Sequence, residues 1–250
     1  MLPNYDLDKI KFATDAPTFE RAVDLYGKGK VTKFKNNGIS CTATVIGSQP
    51  YEVFVSNRNY DQGNCTCYLG QNDTLCKHMV AVALHAVMRG KPMTDEDKKF
   101  VHTASCSGNL GTLNSMQLSE AKRVITSDMG YIKPYNGPSH TWFAYQDSLQ
   151  EGCNRLSALV SDLPVSEQTA GLLVDMLLRL DRKLSIGGVD DSDGTVGGFI
   201  EETVGVLKEY TRLDLSCIKI FEKLEGRETC FGWEEPLLEL SDNFKAGGSI

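Results

Sequence analysis

The chain has 250 residues, 41% of them hydrophobic and 24% charged, a composition that supports one or two sizeable cores and excludes intrinsic disorder. No stretch approaches the roughly 20 apolar residues of a membrane span, and the segment Met1 to Asp6 lacks the basic start and apolar run of a secretory signal, so a cytoplasmic protein is expected, with the nucleus as the other allowed compartment. The net charge of −7 is uneven: residues 1–92 carry 11 Lys plus Arg against 8 Asp plus Glu, and residues 93–250 carry 15 against 25, so the acidic second part repels nucleic acid and any such contact falls to the first.

Asp15-Ala16-Pro17 reads as a helix start, and Phe19, Ala22, Val23 and Tyr26 fall at helical spacing up to Gly27, predicting a helix over 16–26. Alternation then takes over. Ile39, Cys41, Ala43 and Val45 face one way and Ser40, Thr42 and Thr44 the other. Tyr51 to Val55 resumes the pattern after the Gly47-Ser48-Gln49-Pro50 turn, and with Lys30 to Lys35 this predicts a three-stranded meander. From Lys77 to Met88 the period returns to helical, with Val80, Ala83, Leu84 and Val87 on one face. Gly90-Lys91-Pro92 ends that helix and sets a domain boundary near residue 92. Further helices are predicted over 94–102, 116–128, 140–161 and 166–184, the last capped by Ser166. A flexible acidic loop over 187–198 is followed by a long final helix over 199–225. That helix carries Phe199, Thr203, Val206, Tyr210, Leu213, Cys217, Ile220 and Leu224 as a stripe, which fits a seam for a partner but is expected first to bury against neighbouring helices of its own domain. The fold class is α+β: a small β-meander with a metal loop and helix over 1–92, then an acidic, mainly helical domain over 93–250.

The chain holds eight cysteines. A reducing compartment disfavours disulfides, and a bridge between Cys65 and Cys67 would be strained. Cys65-x-Cys67 followed by Cys76-x-His78 instead offers three thiolates and one imidazole, the donor set of a closed tetrahedral zinc site. Ligands separated by one residue cannot share an ion from a regular helix, but they can from an irregular turn, with the bend at Gly63-Asn64. Cys76 and His78 are expected at the entry of the following helix, where the helix dipole and Lys77 offset the formal −1 charge of three thiolates around one dication. One structural zinc per chain follows, and residues 60–80 should lose order without it.

Cys65-Thr66-Cys67 and Cys76-Lys77-His78, preceded by Tyr51-Glu52-Val53 and followed by Val80-Ala81-Val82, resemble the SWIM-type zinc finger, whose pattern is CxC, a variable loop, then CxH. Tyr26 to Val31 and Gly47 to Tyr51 are similar to the lead-in of prokaryotic members. The resemblance covers roughly residues 19–89. It implies a zinc-binding module for DNA or protein contact and implies no chemistry.

Lys28, Lys30, Lys33, Lys35, Arg21 and Arg58 are candidates for a phosphate-facing patch, with Phe34 and Tyr60 for stacking; alternating lysines also serve as a solvated edge. The loop Asp190-Asp191-Ser192-Asp193-Gly194 resembles a calcium loop but mismatches it at Val189 and Ile200. His102 and Cys106 lack a third orienting group for a nucleophile–base pair. His85 shares a helix face with His78 and reads as a half-buried helix histidine. Cys41, Cys153, Cys217 and Cys230 read as core residues, and Trp142 and Trp233 as single anchors. The expected function is non-enzymatic protein contact through the zinc finger, with no membrane and no small-molecule substrate. The alternative is nucleic-acid binding by the basic face of residues 21–60, and an enzyme in the helical half ranks third.

Overall fold

The computed structural model describes residues 3–101 and 103–247 and divides the chain into two compact units, Met1–Phe100 and Val101–Ile250. The first unit opens with a short helix α1 (Leu7–Phe12), absent from the sequence expectation, that Asp6 caps by accepting from Lys9 N. Helix α2 (Ala16–Gly27) follows as expected, with Asp15 accepting from Thr18 N and Pro17 in the first turn. Strands β1 (Val31–Asn36), β2 (Ser40–Ile46) and β3 (Pro50–Ser56) form an antiparallel meander that continues into β4 (Gly63–Cys65), so the sheet has four strands in the order β1-β2-β3-β4. Three strands were expected. Gly-Asn-Cys carries no alternating pattern, and the segment becomes a strand only because Val53, Phe54 and Val55 pair with Cys65, Asn64 and Gly63. Tertiary pairing overrides propensity here.

One sheet face buries Val31, Cys41, Ala43, Val45, Val53, Val55 and Cys65. Against it lies α4 (Lys77–Met88), at the predicted bounds, which is buried from His78 through Leu84. A helix apolar all round must be covered all round, and α2 and α1 also contact it. The short helix α3 (Tyr68–Gln71) links β4 to that assembly. The predicted helix over 94–102 is only the turn α5 (Asp95–Lys98), opened by a Thr94–Asp97 capping box. Lys99 then turns extended, and the Phe100 ring lies 5.6 Å from that of Phe19. Met93 is also buried in this core, which carries the first unit past residue 92 to Phe100.

In the second unit, α6 (Ser115–Asp128), α7 (Trp142–Asp162), α8 (Glu167–Ser185) and α9 (Thr195–Leu213) surround one core. A 3-10 turn over Ser139–Thr141 replaces the start of the helix predicted from 140. Two further boundaries differ from expectation. Helix α9 begins inside the segment read as a flexible loop, because the Asp191 carboxylate accepts from Val196 N at 2.7 Å and Gly197 N at 2.8 Å. The helix predicted to reach 225 breaks at extended Asp214, whose side chain caps the 3-10 segment Leu215–Leu224 through Ser216 N. Of the stripe, Phe199, Thr203, Val206, Tyr210, Cys217 and Leu224 are buried in this unit's own core, whereas Leu213 is exposed at the break. A last helix, α10 (Glu235–Lys245), was not expected. Trp142 Nε1 donates to Asp190 and Trp233 Nε1 to Asp181. Among the described residues, no helix is long and apolar enough to cross a membrane.

Candidate metal centre

Each ligand of the expected site has its own support. Cys65 closes β4, Cys67 is the N-cap of α3, Cys76 is the N-cap of α4, and His78 sits in the first turn of α4. All four are buried, and one donor atom from each lies within 4.8 Å of the others. His78 Nδ1 is 3.7 Å from Cys65 Sγ and 3.9 Å from Cys76 Sγ. Zinc–sulfur bonds of about 2.3 Å and zinc–nitrogen bonds of about 2.0 Å at a tetrahedral angle give an S···N edge of roughly 3.5 Å. The donor set therefore fits one structural zinc ion, held by Cys65, Cys67, Cys76 and His78.

The backbone around the sulfurs is already arranged for thiolates. Cys67 N donates to Cys65 Sγ at 3.5 Å and Gly70 N to Cys67 Sγ at 3.4 Å. The Cys76 thiol is held below its ordinary range, first by the neighbouring Cys65 thiol and then by His78 and the Met79 N–H, against the opposing effect of burial. Cys65, as the thiol that donates, is correspondingly raised. The positive end of α4 adds to this preference for negative charge.

Two supports, Tyr51 and Gly47, come from outside the ligand span, and a third, Gly70, from within it. The Tyr51 ring stacks on the His78 imidazole at 4.3 Å and 26°. At the edge of the stacked pair, a methyl at Gly47 would lie 3.0 Å from Tyr51 Cε2 and 3.2 Å from His78 Nε2, a buried nitrogen with no hydrogen-bond partner. At Gly70 a methyl would meet Cys65 Cβ and Cys65 O at 2.5 Å, so only glycine lets α3 fold back over β4. These supports escape a reading of ligand spacing alone, because they contact the site only after folding.

The other candidates separate. Lys28 pairs with Asp24 at 2.8 Å, Arg21 Nε donates to Pro17 O, Lys30 is half-buried, and Lys33, Lys35 and Arg58 are exposed. Lys33 adopts φ 51° where the β1–β2 register shifts, a β-bulge that redirects its side chain relative to Lys35. Neither expected stacking ring is available. Tyr60 is buried and bonded to Thr14 at 2.9 Å, and Phe34 lies 4.5 Å from the His85 ring. The exposed aromatic on the outer sheet face is instead Phe54. His85 packs against Tyr26 and Phe34 and lies outside the metal cluster. Cys41, Cys153 and Cys217 are buried, but Cys230 is only partly so. Asp190, Asp191 and Asp193 accept hydrogen bonds from the local chain and from Trp142, and among the described residues they form no metal cluster. His102 lies outside the described residues, and Cys106 is partly buried.

No curated protein and no solved structure matches this chain. Residues 51–87 match the family model of the SWIM zinc finger, a segment that contains all four ligands together with Tyr51 and most of α4.

Proposed function

Taking residues 51–87 as a SWIM zinc finger, we propose that the chain is a non-enzymatic, cytoplasmic interaction protein whose finger presents Tyr68 and Leu69 to a protein partner. The observation that carries this reading is their exposure, 81% for Tyr68 and 44% for Leu69, on a turn fixed between two pairs of zinc ligands. An aromatic held rigid in solvent contributes contact area on binding with little entropy left to lose, which is why tyrosine is enriched at interface hot spots. Four protein ligands fill the tetrahedral shell and keep no coordination position for a reactive water, which supports a fastening role for the metal. A pull-down with the intact chain, repeated with a Tyr68→Ala/Leu69→Ala variant that keeps its zinc, tests the proposal. A partner retained equally by both proteins would sink it.

A second reading has one observation in its favour. Lys35, Thr42, Phe54 and Asn64 occupy one row across the four strands, on the face away from α4, and Phe54 is 44% exposed. A cation beside an open ring on a sheet suits single-stranded nucleic acid. Titrating single-stranded DNA into the full chain at about 50 mM salt, where phosphate contacts are strongest, separates the readings: absence of binding removes this one.

A further inference from the structure

We propose that Phe231, in the second unit, is an anchor that docks an arginine-bearing cationic segment of a protein partner, on a surface built from residues of that unit alone. Phe231 is a bulky residue at φ 58° and ψ 14°, a left-handed conformation that such a side chain avoids. Burial does not compensate for it, since the residue is 67% exposed. The strain persists because the flanking residues are fixed. Cys230 N donates to Asp181 Oδ1 at 2.7 Å, Trp233 Nε1 donates to the same oxygen at 3.1 Å, and Thr229 bonds Glu234. Glycine or asparagine would satisfy this turn at lower cost. A strained position that carries an exposed aromatic, held by an over-determined frame, points to a role for the ring itself.

The surroundings of the ring specify the partner. A methyl on Gly197 would lie 3.6 Å from Phe231 Cε2 and 3.4 Å from Asp191 Oδ2, so ring edge and carboxylate flank the same glycine at the start of α9. On the other side, the Glu235 carboxylate would lie 3.1 Å from a methyl on Gly232. Asp193 is exposed two residues from Asp191. The charged side chains that these contacts bring to the turn are acidic, which repels nucleic acid and favours a cation. A guanidinium matches the combination, since it can lie over the Phe231 ring while donating to a neighbouring carboxylate.

The test is selection of random peptides, displayed on phage, against the full zinc-loaded chain, followed by affinity measurements on the enriched peptides. Enrichment of arginine beside an apolar residue is expected. Binding should fall at least tenfold with Phe231→Asn and weaken with added salt, and Phe143→Ala, which removes a more exposed aromatic of the same unit, should leave it unchanged. Phe231→Asn suits the left-handed backbone, so its melting temperature should hold within a few degrees. Enriched peptides without cations, equal binding to Phe231→Asn, no enrichment at all, or a large drop in the variant's melting temperature would each overturn the proposal.

Discussion

Gly70→Ala tests the metal centre most sharply, because it alters no ligand and adds one methyl group. That methyl would sit 2.5 Å from Cys65 Cβ and O and 2.8 Å from Cys65 N. Carbon contacts are comfortable at about 3.5–4.0 Å, so something must move by roughly 1 Å. Cys65 is held on one side by its ladder with Val53 and on the other by the ion, whereas Gly70 is held by its own N–H on Cys67 Sγ. Either movement displaces a ligand by a large fraction of a bond of about 2.3 Å. We expect zinc affinity to fall by about 100-fold, the upper end of the effect of removing a ligand's supporting contact, or about 3 kcal/mol. Competition with a chromophoric chelator on the full chain measures it directly. Gly27→Ala is the control, since nothing lies within 4 Å of a methyl there. A Gly70→Ala protein binding zinc within about threefold of the parent would refute the reasoning, as a shift of that size is under 1 kcal/mol.

Cys65→Ser or His78→Ala should lower zinc content from one per chain towards zero by elemental analysis, and unchanged content in both would overturn the site. Asp181→Ala removes the acceptor shared by Cys230 N and Trp233 Nε1 and should cost about 2–4 kcal/mol, read as a lower melting temperature of the second unit's transition. Burial pushes His85 below its ordinary value of 6.5. The unfolded chain therefore takes up a proton near that pH that the folded chain refuses. The resulting destabilisation is absent well above 6.5 and grows as pH falls through and below it. His85→Phe should flatten that part of the melting temperature's pH dependence, and an identical slope in the variant would exclude His85 as its origin.

The zinc ligands were legible because Cys-x-Cys and Cys-x-His spacing encodes their chemistry directly. Helices α2 and α4 were legible because each carries an uninterrupted apolar period. Other features depend on partners distant in sequence. Strand β4 exists through its pairing with β3, and helix α9 starts early because Asp191 reaches forward to cap it. The stripe that runs through Asp214 hid a break, since periodicity registers which residues are apolar and not whether the backbone between them stays helical. Phe34 and Tyr60 were chosen for stacking as aromatics near lysines, yet both face inward. Phe54 alternates outward, a fact contained in the strand pattern but masked by its hydrophobicity. Phe231 and Gly70 carried no signal at all, because the significance of both lies in backbone geometry.

Helix α4 joins two roles, since its first turn supplies Cys76 and His78 while its middle turns fill the centre of the first unit. Excising the segment that spans the four ligands would leave behind Gly47 and Tyr51, two walls of the imidazole pocket, and the strands on which α4 rests. The transplantable module is accordingly the whole of Met1–Phe100. A chimera grafting only the ligand-bearing stretch onto another scaffold would inherit the donors without the housing that orients them.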